Sequence, residues 1–341
     1  MVRMVDVAKE AGVSIKTVSR VLNNEPHVQD AMRQKVRSAV ERLGYIPSAS
    51  ARSLRSNRSY SIMLLIHDVR SMFVSTVQFG ALQKCQKLGY HLQLSMIGSD
   101  QLKDEETLKA WFAENLRGGH PDGLVLVPPM ANNPVMERVV KSLGLNTIRV
   151  GPNEIPHTAR TASVMIDDRQ AAHDMTAHLI GLGHRRIGFI RGKEDQDATH
   201  RRFDGYASAL AGAGIAMDES IVLPGSFDFN SGLEQGDVLL AMKDRPTAVF
   251  ASNDDMAAGV IMAAHQAGVS VPGELSVAGF DDNEIAERTL PTITTIRQPL
   301  EEIGMVAIEA LVTAAGASLE ELTSHVLPYE LVERRSTAAP A

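Results

Sequence analysis

Residues 5–23 read VDVAKEAGVSIKTVSRVLN, the stretch that decides the fold of the amino-terminal segment. Its apolar residues have the spacing of two short packed helices, and Gly12 interrupts them where a tight turn would fall. Ser14 can cap the second helix and so place polar and basic side chains at its exposed start. A helix-turn-helix presents such a start to the major groove of DNA. The apolar residues are Val5, Ala8, Val13, Val18 and Leu22, and the exposed ones are Ile15, Lys16, Thr17, Ser19 and Arg20.

The alternative to a helix-turn-helix is a plain helical hairpin whose charges are only solvated. The distribution of charge along the chain favours the helix-turn-helix. The 341-residue chain has 34 Lys+Arg and 41 Asp+Glu, a formal net charge of −7 at pH 7. Its first 60 residues hold 11 of those bases and 5 of the acids, which leaves 23 bases and 36 acids for the remainder. A head of +6 attracts a polyanion, and a body of −13 repels one. The split indicates a nucleic-acid-binding module fused to a larger acidic domain.

A third helix is predicted over residues 30–43, and a segment rich in serine and arginine follows at 46–59. The composition of that segment alone favours a linker. The alternative is a short helix opened by Pro47, in which Ala51 and Leu54 share one side and the leucine inserts as a wedge into a minor groove. We therefore divide the chain into residues 1–45, 46–60 and 61–341.

From residue 61 onward, short apolar runs alternate with longer amphipathic segments, a pattern typical of parallel sheets with helices on both faces. The alternation occurs twice, so we predict two similar lobes, with residues 151–156 as the first crossover and 162–166 as the first strand of lobe two. We also expect a final strand at 326–333 and a frayed STAAPA tail. The other predicted strands are 61–66, 91–96, 123–127, 147–150, 186–190, 248–251 and 275–279.

Ligands of such sheets bind beyond the carboxyl ends of the strands, here in the cleft between the lobes. Polar and aromatic residues follow several of these strands. Carboxylate, amide and guanidinium groups bridge neighbouring hydroxyls, and a phenyl ring covers the C–H face of a sugar, so we expect a polyhydroxylated ligand. The nominated residues are Ser71, Met72, Phe73, Asp167, Asp168, Arg202, Phe227, Asn253, Asp254, Asp281 and Asp282.

Each nominated group has a structural alternative. The Asn-Asp pair at 253–254 could cap a helix that starts there, and the Asp pair at 281–282 could form a turn. The two phenylalanines could be ordinary core residues. Arg202, which follows another arginine, could be one half of a solvated pair.

The head and linker resemble the lactose-repressor/galactose-repressor family of bacterial transcription factors, through DVAKEAGVSIKTVSRVLN and RLGYIPSASARSLRS. The resemblance implies that residues 15–23 form a recognition helix whose first two residues select the operator. It also implies that residues 47–55 form a hinge helix that orders on operator DNA, with a leucine as minor-groove wedge. The DNA contacts so predicted are Ser14, Ile15, Lys16, Thr17, Ser19, Arg20, Asn23, His27, Ala51 and Leu54.

The acidic body is similar, as far as about residue 335, to the periplasmic-binding-protein-type effector domain of the same family. The motifs are LGHRRIGFI, RRFDGY, FASNDDMAAG, SVAGFDD and LPTITTIRQP. The resemblance implies that an arginine, an asparagine and an aspartate hold the ligand while an aromatic ring stacks on it. The predicted effector site is Ser71, Phe73, Asp167, Arg202, Phe227, Asn253, Asp281 and Gln298.

Two positions depart from the pattern of this family. Met4 stands where the family usually has threonine, which removes a hydroxyl able to cap the first helix, worth ~1 kcal/mol. Asp168 stands where many members have asparagine, which favours a hydroxyl-rich or cationic ligand and puts that residue in doubt as a contact.

We predict an N-terminal all-α helix-turn-helix head plus an α/β periplasmic-binding-protein-like domain of two doubly wound lobes. The predicted protein is a homodimeric, sequence-specific repressor that binds double-stranded operator DNA. A small effector between the lobes, a sugar or sugar derivative, controls it allosterically. A single cysteine and the lack of a signal peptide or membrane-spanning run favour the cytoplasm. No cofactor or metal is expected.

Two other functions are weighed against this one. The first is a cytoplasmic sugar-binding protein without a DNA-binding role, which failure to bind any DNA would favour. The second is an enzyme that uses the acidic cleft, which turnover of a bound ligand would reveal. The sequence contains no GxGxxG, GxxxxGK[ST] or GxSxG motif, so neither a nucleotide loop nor a nucleophile elbow is supported.

Overall fold

The computed structural model describes residues 2–22, 26, 28–45, 58–117, 119–151, 158–316 and 322–341. The chain forms two compact units, Met1–Tyr60 and Ser61–Ala341. Several predicted features lie outside the described residues, namely the hinge helix over 47–55 with Ala51 and Leu54, and the DNA contacts Asn23 and His27.

The described part of the first unit contains α1 (Met4–Ala11), α2 (Ile15–Leu22) and α3 (Asp30–Leu43). Gly12 ends α1 with φ 64°, and the N–H of Val13 donates to the Ala8 carbonyl at 3.0 Å, which makes the predicted tight turn. The prediction for Val5 was wrong, because this residue is 43% exposed. The inward face of α1 carries Met4, Val7, Ala8 and Ala11 at helical spacing, and Val5 lies outside it. The buried core of the unit is Val7, Ala8, Val18, Val21, Val36, Ala39 and Tyr45.

The second unit consists of two lobes, each a parallel sheet covered by helices. The first part of its chain contains β1 (Ser61–Ile66), α4 (Met72–Leu88), β2 (His91–Met96), α5 (Glu105–Asn115), β3 (Gly123–Leu126), α6 (Pro134–Leu143), β4 (Thr147–Val150) and β5 (Thr161–Met165). The middle part contains α7 (Asp168–Gly181), β6 (Ile187–Ile190), α8 (Asp197–Gly212), β7 (Val222–Leu223), α9 (Phe229–Leu240), β8 (Ala248–Ala251), α10 (Asp254–Gln266), β9 (Ser276–Ala278) and α11 (Glu284–Arg288). The last part contains β10 (Thr295–Arg297), α12 (Leu300–Gly316), β11 (His325–Val326) and β12 (Glu330–Val332). Short 3₁₀ turns lie at Ser99–Leu102, Met130–Asn132 and Glu219–Ile221.

Among the described strands, the sheet of lobe one has the order β11-β5-β4-β3-β1-β2, with parallel pairs throughout. The sheet of lobe two has the order β7-β6-β8-β9, also parallel. A third, antiparallel pair joins β10 to β12. Two parallel sheets with covering helices confirm the predicted doubly wound lobes. No helix within the described ranges is long and apolar enough to cross a membrane.

The position of the first crossover was predicted wrongly. β5 pairs with β4 from Thr147↔Thr161 to Val150↔Val164, so it belongs to lobe one and not to lobe two. The chain therefore enters lobe two after β5, at residues 166–167, rather than at 151–156. An apolar strand can pair in either sheet, and only its long-range partner decides which.

The carboxyl-terminal part of the chain also differs from the prediction. The predicted strand 326–333 is two strands, because β11 pairs with β5 in lobe one and β12 pairs with β10. The tail is docked and not frayed. Ser336 is fully buried and accepts the N–H of Thr294 at 2.8 Å, while the carbonyl of Ala338 lies 2.9 Å from His184 Nε2. Backbone hydrogen bonds to the lobe-two sheet fix the tail in place.

Candidate functional site

The start of α2 carries exposed side chains on a capped helix end. The N–H of Thr17 donates to Ser14 Oγ at 3.1 Å, so Ser14 caps α2 as its position in the sequence predicts. Ile15 is 45% exposed although it is a large aliphatic residue, and Lys16 and Arg20 are exposed as well. An exposed apolar side chain and two cations on the same short helix suit the major groove, where thymine methyl groups, base acceptors and phosphates lie close together.

One predicted DNA contact does not share this exposed surface. Ser19 is only 7% exposed and lies on the inner side of α2, next to the buried Val18 and Val21. The prediction that it belongs to the exposed start of the helix was therefore wrong. Successive helical residues are about 100° apart, so a residue beside a buried valine need not face solvent.

The start of α1 shows what replaces the hydroxyl missing at Met4. Arg3 precedes the first turn, and its N–H donates to Asp6 Oδ2 at 2.8 Å. This carboxylate satisfies an amide at the helix start and lies near the positive end of the helix dipole. The first helix thus keeps a side-chain partner at its start despite the departure from the family pattern.

A cleft of about 560 Å³ lies between the two lobes of the second unit. Its walls follow the carboxyl ends of strands in both sheets, as the rule for parallel sheets predicts. Seven of the eight predicted effector residues are in these walls. They are Ser71, Phe73, Arg202, Phe227, Asn253, Asp281 and Gln298.

Arg202 organises the charges in the lobe-two wall. Its Nε donates to Asp168 Oδ1 at 2.8 Å, and its Nη1 lies 3.5 Å from Asp281 Oδ1. The guanidinium group covers the ring of Phe280, with Cζ 3.6 Å from the ring centroid. The whole side chain is buried, so the alternative of a solvated arginine pair was wrong. Arg202 instead holds two carboxylates in fixed positions at the cleft.

Asp281 has an uncommon backbone conformation. Its φ is 105°, a region that residues with a side chain rarely adopt. Gln298 Nε2 donates to its Oδ1 at 2.7 Å. Burial raises the pKa of Asp281 to about 6, although the nearby Arg202 opposes that rise. A strained, buried carboxyl group in a cleft is typical of functional sites.

The Phe227 ring is positioned by a glycine and an amide. A Cβ on Gly192 would overlap this ring, so only glycine allows the ring to pack there. Phe227 itself has φ 59°, and Asn253 Nδ2 donates to its carbonyl at 3.0 Å. Asn253 Oδ1 also accepts the N–H of Met256, so Asn253 both caps α10 and holds the backbone of Phe227. Phe73, from lobe one, is the second aromatic residue in the cleft wall.

Asp167 is the predicted effector residue that the structure does not bring to the cleft wall. Its Oδ1 accepts the N–H of Gln170 at 3.1 Å, which caps α7, and pairs with Arg201 at 3.1 Å. The neighbouring Asp168, which the sequence left in doubt, lines the cleft instead. The choice between the two adjacent acids depends on where α7 begins, because the cap turns its side chain back onto the helix end.

Comparison with known proteins identifies the family. Residues 3–48 match the family described as bacterial regulatory proteins, lacI family, and residues 176–337 match the periplasmic binding protein-like domain. Catabolite control protein A of Priestia megaterium is 34% identical over 338 residues, which cover 98% of this chain and 99% of that protein. The chain belongs to the lacI family. The predicted family and fold class are therefore confirmed, and this lacI-family chain is a transcriptional regulator.

Two solved structures of transcriptional regulators have the same fold along nearly the whole chain. One is the lac repressor dimer bound to operator and the anti-inducer ONPF, with a TM-score of 0.81 and 26% identity over 99% of each chain. Another is the complex of the transcriptional regulator CelR with cellobiose, with a TM-score of 0.73 and 29% identity, covering 98% of this chain and all of that one.

The cleft of this lacI-family protein contains charged residues that the sequence analysis missed. All of them follow the carboxyl end of a strand, so the rule that nominated the others could have found them. Two of them form one ion pair after β1, in which Asp68 Oδ1 accepts from Arg70 Nε at 3.0 Å. The missed charged residues are Asp68, Arg70, Lys193, Asp228 and Asp255.

The charges in the cleft do not balance. Asp68 pairs with Arg70, and Asp168 pairs with Arg202. Three further carboxyl groups line the walls against one further cation, Lys193. Among the described residues, no group of three or more His, Cys, Asp or Glu is placed to hold a metal ion. The carboxyl groups are Asp228, Asp255 and Asp281.

Proposed function

We propose that this lacI-family regulator is a homodimeric repressor that acts on operator DNA in the cytoplasm and is controlled by a neutral sugar bound in the cleft. The observation that carries the proposal is the cleft wall itself. Arg202 and Asp281 form adjacent hydrogen-bonding groups, and Phe73 and Phe227 contribute aromatic rings from opposite lobes. The lac repressor dimer with operator and the complex of CelR with cellobiose support the same assignment.

The sugar chemistry follows from the polar groups and the rings. A carboxylate accepts from two neighbouring hydroxyls, and a guanidinium donates to two oxygens, so together they fit a vicinal diol. A phenyl face packs on the C–H groups of a pyranose or furanose ring. The excess of carboxyl groups disfavours a phosphate, because like charges in a half-enclosed site repel. We therefore infer an uncharged, hydroxyl-rich effector.

The head is proposed to read DNA through the start of α2. Arg20 carries the fork geometry that recognises guanine, Lys16 adds a second cation, and Ile15 fits a thymine methyl group. Thr17, beside the cap, is proposed to contact a phosphate. Two heads, related by a two-fold axis, would bind the halves of a pseudo-palindromic operator. Asn23, His27, Ala51 and Leu54 remain proposed contacts on the grounds of the sequence.

A thermal-shift screen of the full chain tests the effector assignment. The panel contains D-ribose, D-glucose, D-galactose, lactose and cellobiose, with D-glucose 6-phosphate and D-ribose 5-phosphate as charged counterparts. A ligand at 100 times its Kd adds about 2.7 kcal/mol, which raises the Tm of a domain of this size by several degrees. We expect a neutral sugar to shift the Tm and its phosphate to have no effect.

Two variants make the screen specific to the cleft. Asp281→Asn should abolish the shift, whereas Asp244→Asn, which changes an exposed aspartate on the loop after α9, should leave it intact. A phosphate that binds more tightly than its parent sugar would overturn the charge argument. Equal shifts in wild type and Asp281→Asn would remove Asp281 from the site.

The two other functions make different predictions. A sugar-binding protein without a DNA-binding role would select no sequence from a random duplex library, whereas a repressor selects a two-fold symmetric one. An enzyme would convert the bound sugar, so chromatography of the sugar after overnight incubation would show a product. We propose that a selected operator is recovered and that the sugar is returned unchanged.

A further inference from the structure

We propose that Asp282 is a positioning residue that couples the ligand-facing Asp281 to the two strands that connect the lobes. Asp282 is not among the residues that line the cleft. The inference rests on the proposed function, because it concerns how occupancy of the cleft changes the arrangement of the lobes. It is carried by a set of contacts on the far side of the 281–283 loop from the cleft.

The side chain of Asp282 is 5% exposed and lies between two arginines. Arg297 Nε donates to its Oδ2 at 2.6 Å, and Arg334 Nη1 forms an ion pair with its Oδ1 at 2.6 Å. Arg297 is the last residue of β10, and Arg334 follows β12. One buried carboxylate therefore joins the loop to both strands of the antiparallel pair.

These two strands are lobe connections. The chain passes from β10 through Gln298 and Pro299 into α12, which packs on α4 in lobe one. It returns from β11, in the lobe-one sheet, through residues 327–329 into β12. Any rotation of one lobe against the other must move the backbone on either side of the β10–β12 pair.

Asp281 is attached to β10 and to the residue that follows it from the cleft side. Its N–H donates to the carbonyl of Ile296 at 2.9 Å, and its carboxyl group accepts from Gln298. Asp282 follows with φ 56°, so both residues of the dipeptide have left-handed backbone. Adjacent residues in such a constrained loop cannot turn independently. A ligand that pulls on the Asp281 carboxyl group therefore moves the anchor at Asp282.

The 281–283 loop is also held in place by Asp254. Asp254 Oδ2 accepts the N–H of Asn283 at 2.9 Å, and Asp254 Oδ1 accepts from the Thr295 hydroxyl at 2.6 Å. Asp254 thus joins the far end of the loop to the start of β10. The loop is held at both ends, and Asp282 is its link to β12.

Each arginine has a second, outer partner that does not touch the loop. Arg297 Nη1 donates to Glu330 Oε2 at 2.7 Å, and Arg334 Nη2 donates to Glu287 at 3.2 Å. Both of these glutamates are largely exposed. Removal of the Asp282 charge therefore removes both of its ion pairs, including the link from the loop to Arg334 after β12, while the arginines keep a partner. Asparagine is the suitable replacement because it has the same shape and tolerates positive φ.

The first test compares Asp282→Asn with Glu330→Gln in the full chain. The probe is whichever sugar of the panel shifts the wild-type Tm. We expect Asp282→Asn to bind that sugar with a Kd within about threefold of wild type, since no group in the cleft wall changes. The effect of the sugar on operator affinity, typically about 5- to 150-fold in allosteric proteins, should fall below about twofold. Glu330→Gln should keep the full wild-type response.

The second test needs no sugar and therefore separates this inference from the proposed function. Hydrogen exchange of amides in β10 and β12 is measured in wild type, Asp281→Asn, Asp282→Asn and the double variant. We expect Asp281→Asn to speed exchange in β12 by about fivefold or more when Asp282 is present. In the Asp282→Asn background the same change should have less than about a twofold effect, because the link is absent.

A merely structural role predicts otherwise. Asp282→Asn would then lower the Tm but keep the response of operator affinity to the sugar, and the effects of the two substitutions on exchange would add. Either result overturns the coupling role. If no sugar of the panel binds wild type, the proposed effector class fails, and the exchange experiment alone decides the role of Asp282.

Discussion

Asp281 combines a functional position with an electrostatic cost. Burial in the cleft wall raises the pKa of its carboxyl group to about 6, so the folded protein holds that proton more tightly than the unfolded chain does. The stabilisation that this proton provides is complete below the unfolded pKa, near 4, and is lost as the pH rises through 6. At neutral pH the folded protein therefore holds Asp281 as a buried carboxylate, which lowers the free energy of unfolding.

The Asp281→Asn variant should therefore gain stability relative to wild type as the pH increases. The advantage should grow by up to about 3 kcal/mol in the free energy of unfolding between pH 4 and pH 7.5, since each unit of pKa shift corresponds to about 1.4 kcal/mol. Denaturant titrations of both proteins at four pH values measure it. Asp254, whose pKa is also raised by burial, titrates in both proteins and so enters the difference only through its interaction with Asp281. A difference that does not change with pH would contradict the assignment.

Arg20 is the single residue whose substitution tests the proposed DNA contact. Arg20→Ala should weaken operator binding by about 5- to 150-fold, the effect of losing a base contact worth about 1–3 kcal/mol. Arg42→Ala removes the same charge from an exposed pair with Glu10 in the same unit and controls for net charge. Fluorescence anisotropy with labelled operator gives both values. Equal losses in the two variants would show that Arg20 contributes only its charge.

At the scale of elements, close packing of helices depends on particular glycines. A Cβ on Gly205 of α8 would overlap the backbone carbonyl of Arg169 in α7, so the backbones of the two helices are in close contact there. Gly212 lies in the same helix, at its end, and a Cβ there would meet no atom within 4 Å. The same substitution, glycine to alanine, can therefore be compared at Gly205, where the helices are packed, and at Gly212, where there is open space.

Gly205→Ala should destabilise the second unit by about 3 kcal/mol or more, because the helices must separate. Gly212→Ala should be neutral or stabilise by up to about 1 kcal/mol, since alanine has lower backbone entropy in the unfolded chain. Thermal unfolding followed by circular dichroism distinguishes the two. Similar stability for both variants would mean that α7 and α8 pack less closely than the structure shows.

The whole molecule has a basic head and an acidic body. Salt should therefore affect the binding of DNA and the binding of the sugar differently. The basic head should release counterions from DNA, so operator affinity should fall by about 10³–10⁵ between 50 and 200 mM salt if six to ten phosphates are contacted. Binding of a neutral sugar should change by less than about threefold over the same range, because no net charge is brought together. Anisotropy and calorimetry on the same preparation test this. A comparable salt effect on both ligands would contradict the neutral-effector proposal.

Features set by neighbours in the sequence were predicted accurately. The turn at Gly12, the cap at Ser14 and the bounds of α3 depend on backbone conformation and hydrogen bonds over at most five residues. The strands and helices of the lobes follow apolar periodicity in the same way. The rule that ligands bind beyond strand ends then brought Arg202 and Asp281 to one cleft without knowledge of the pairing.

Only the tertiary structure decided which sheet takes β5, that Asp168 rather than Asp167 lines the cleft, that Ser19 faces inward, and that the tail docks. Partners far apart in the chain fix the place of β5 and the docked tail, where Ala338 meets His184 154 positions away. Asp168 also meets Arg202, 34 positions away, once the cap has turned Asp167 onto the helix end. The charge split and local periodicity are properties that any stretch of sequence carries by itself. Pairing and burial are properties of two stretches at once, and they arise only when packing brings the stretches together.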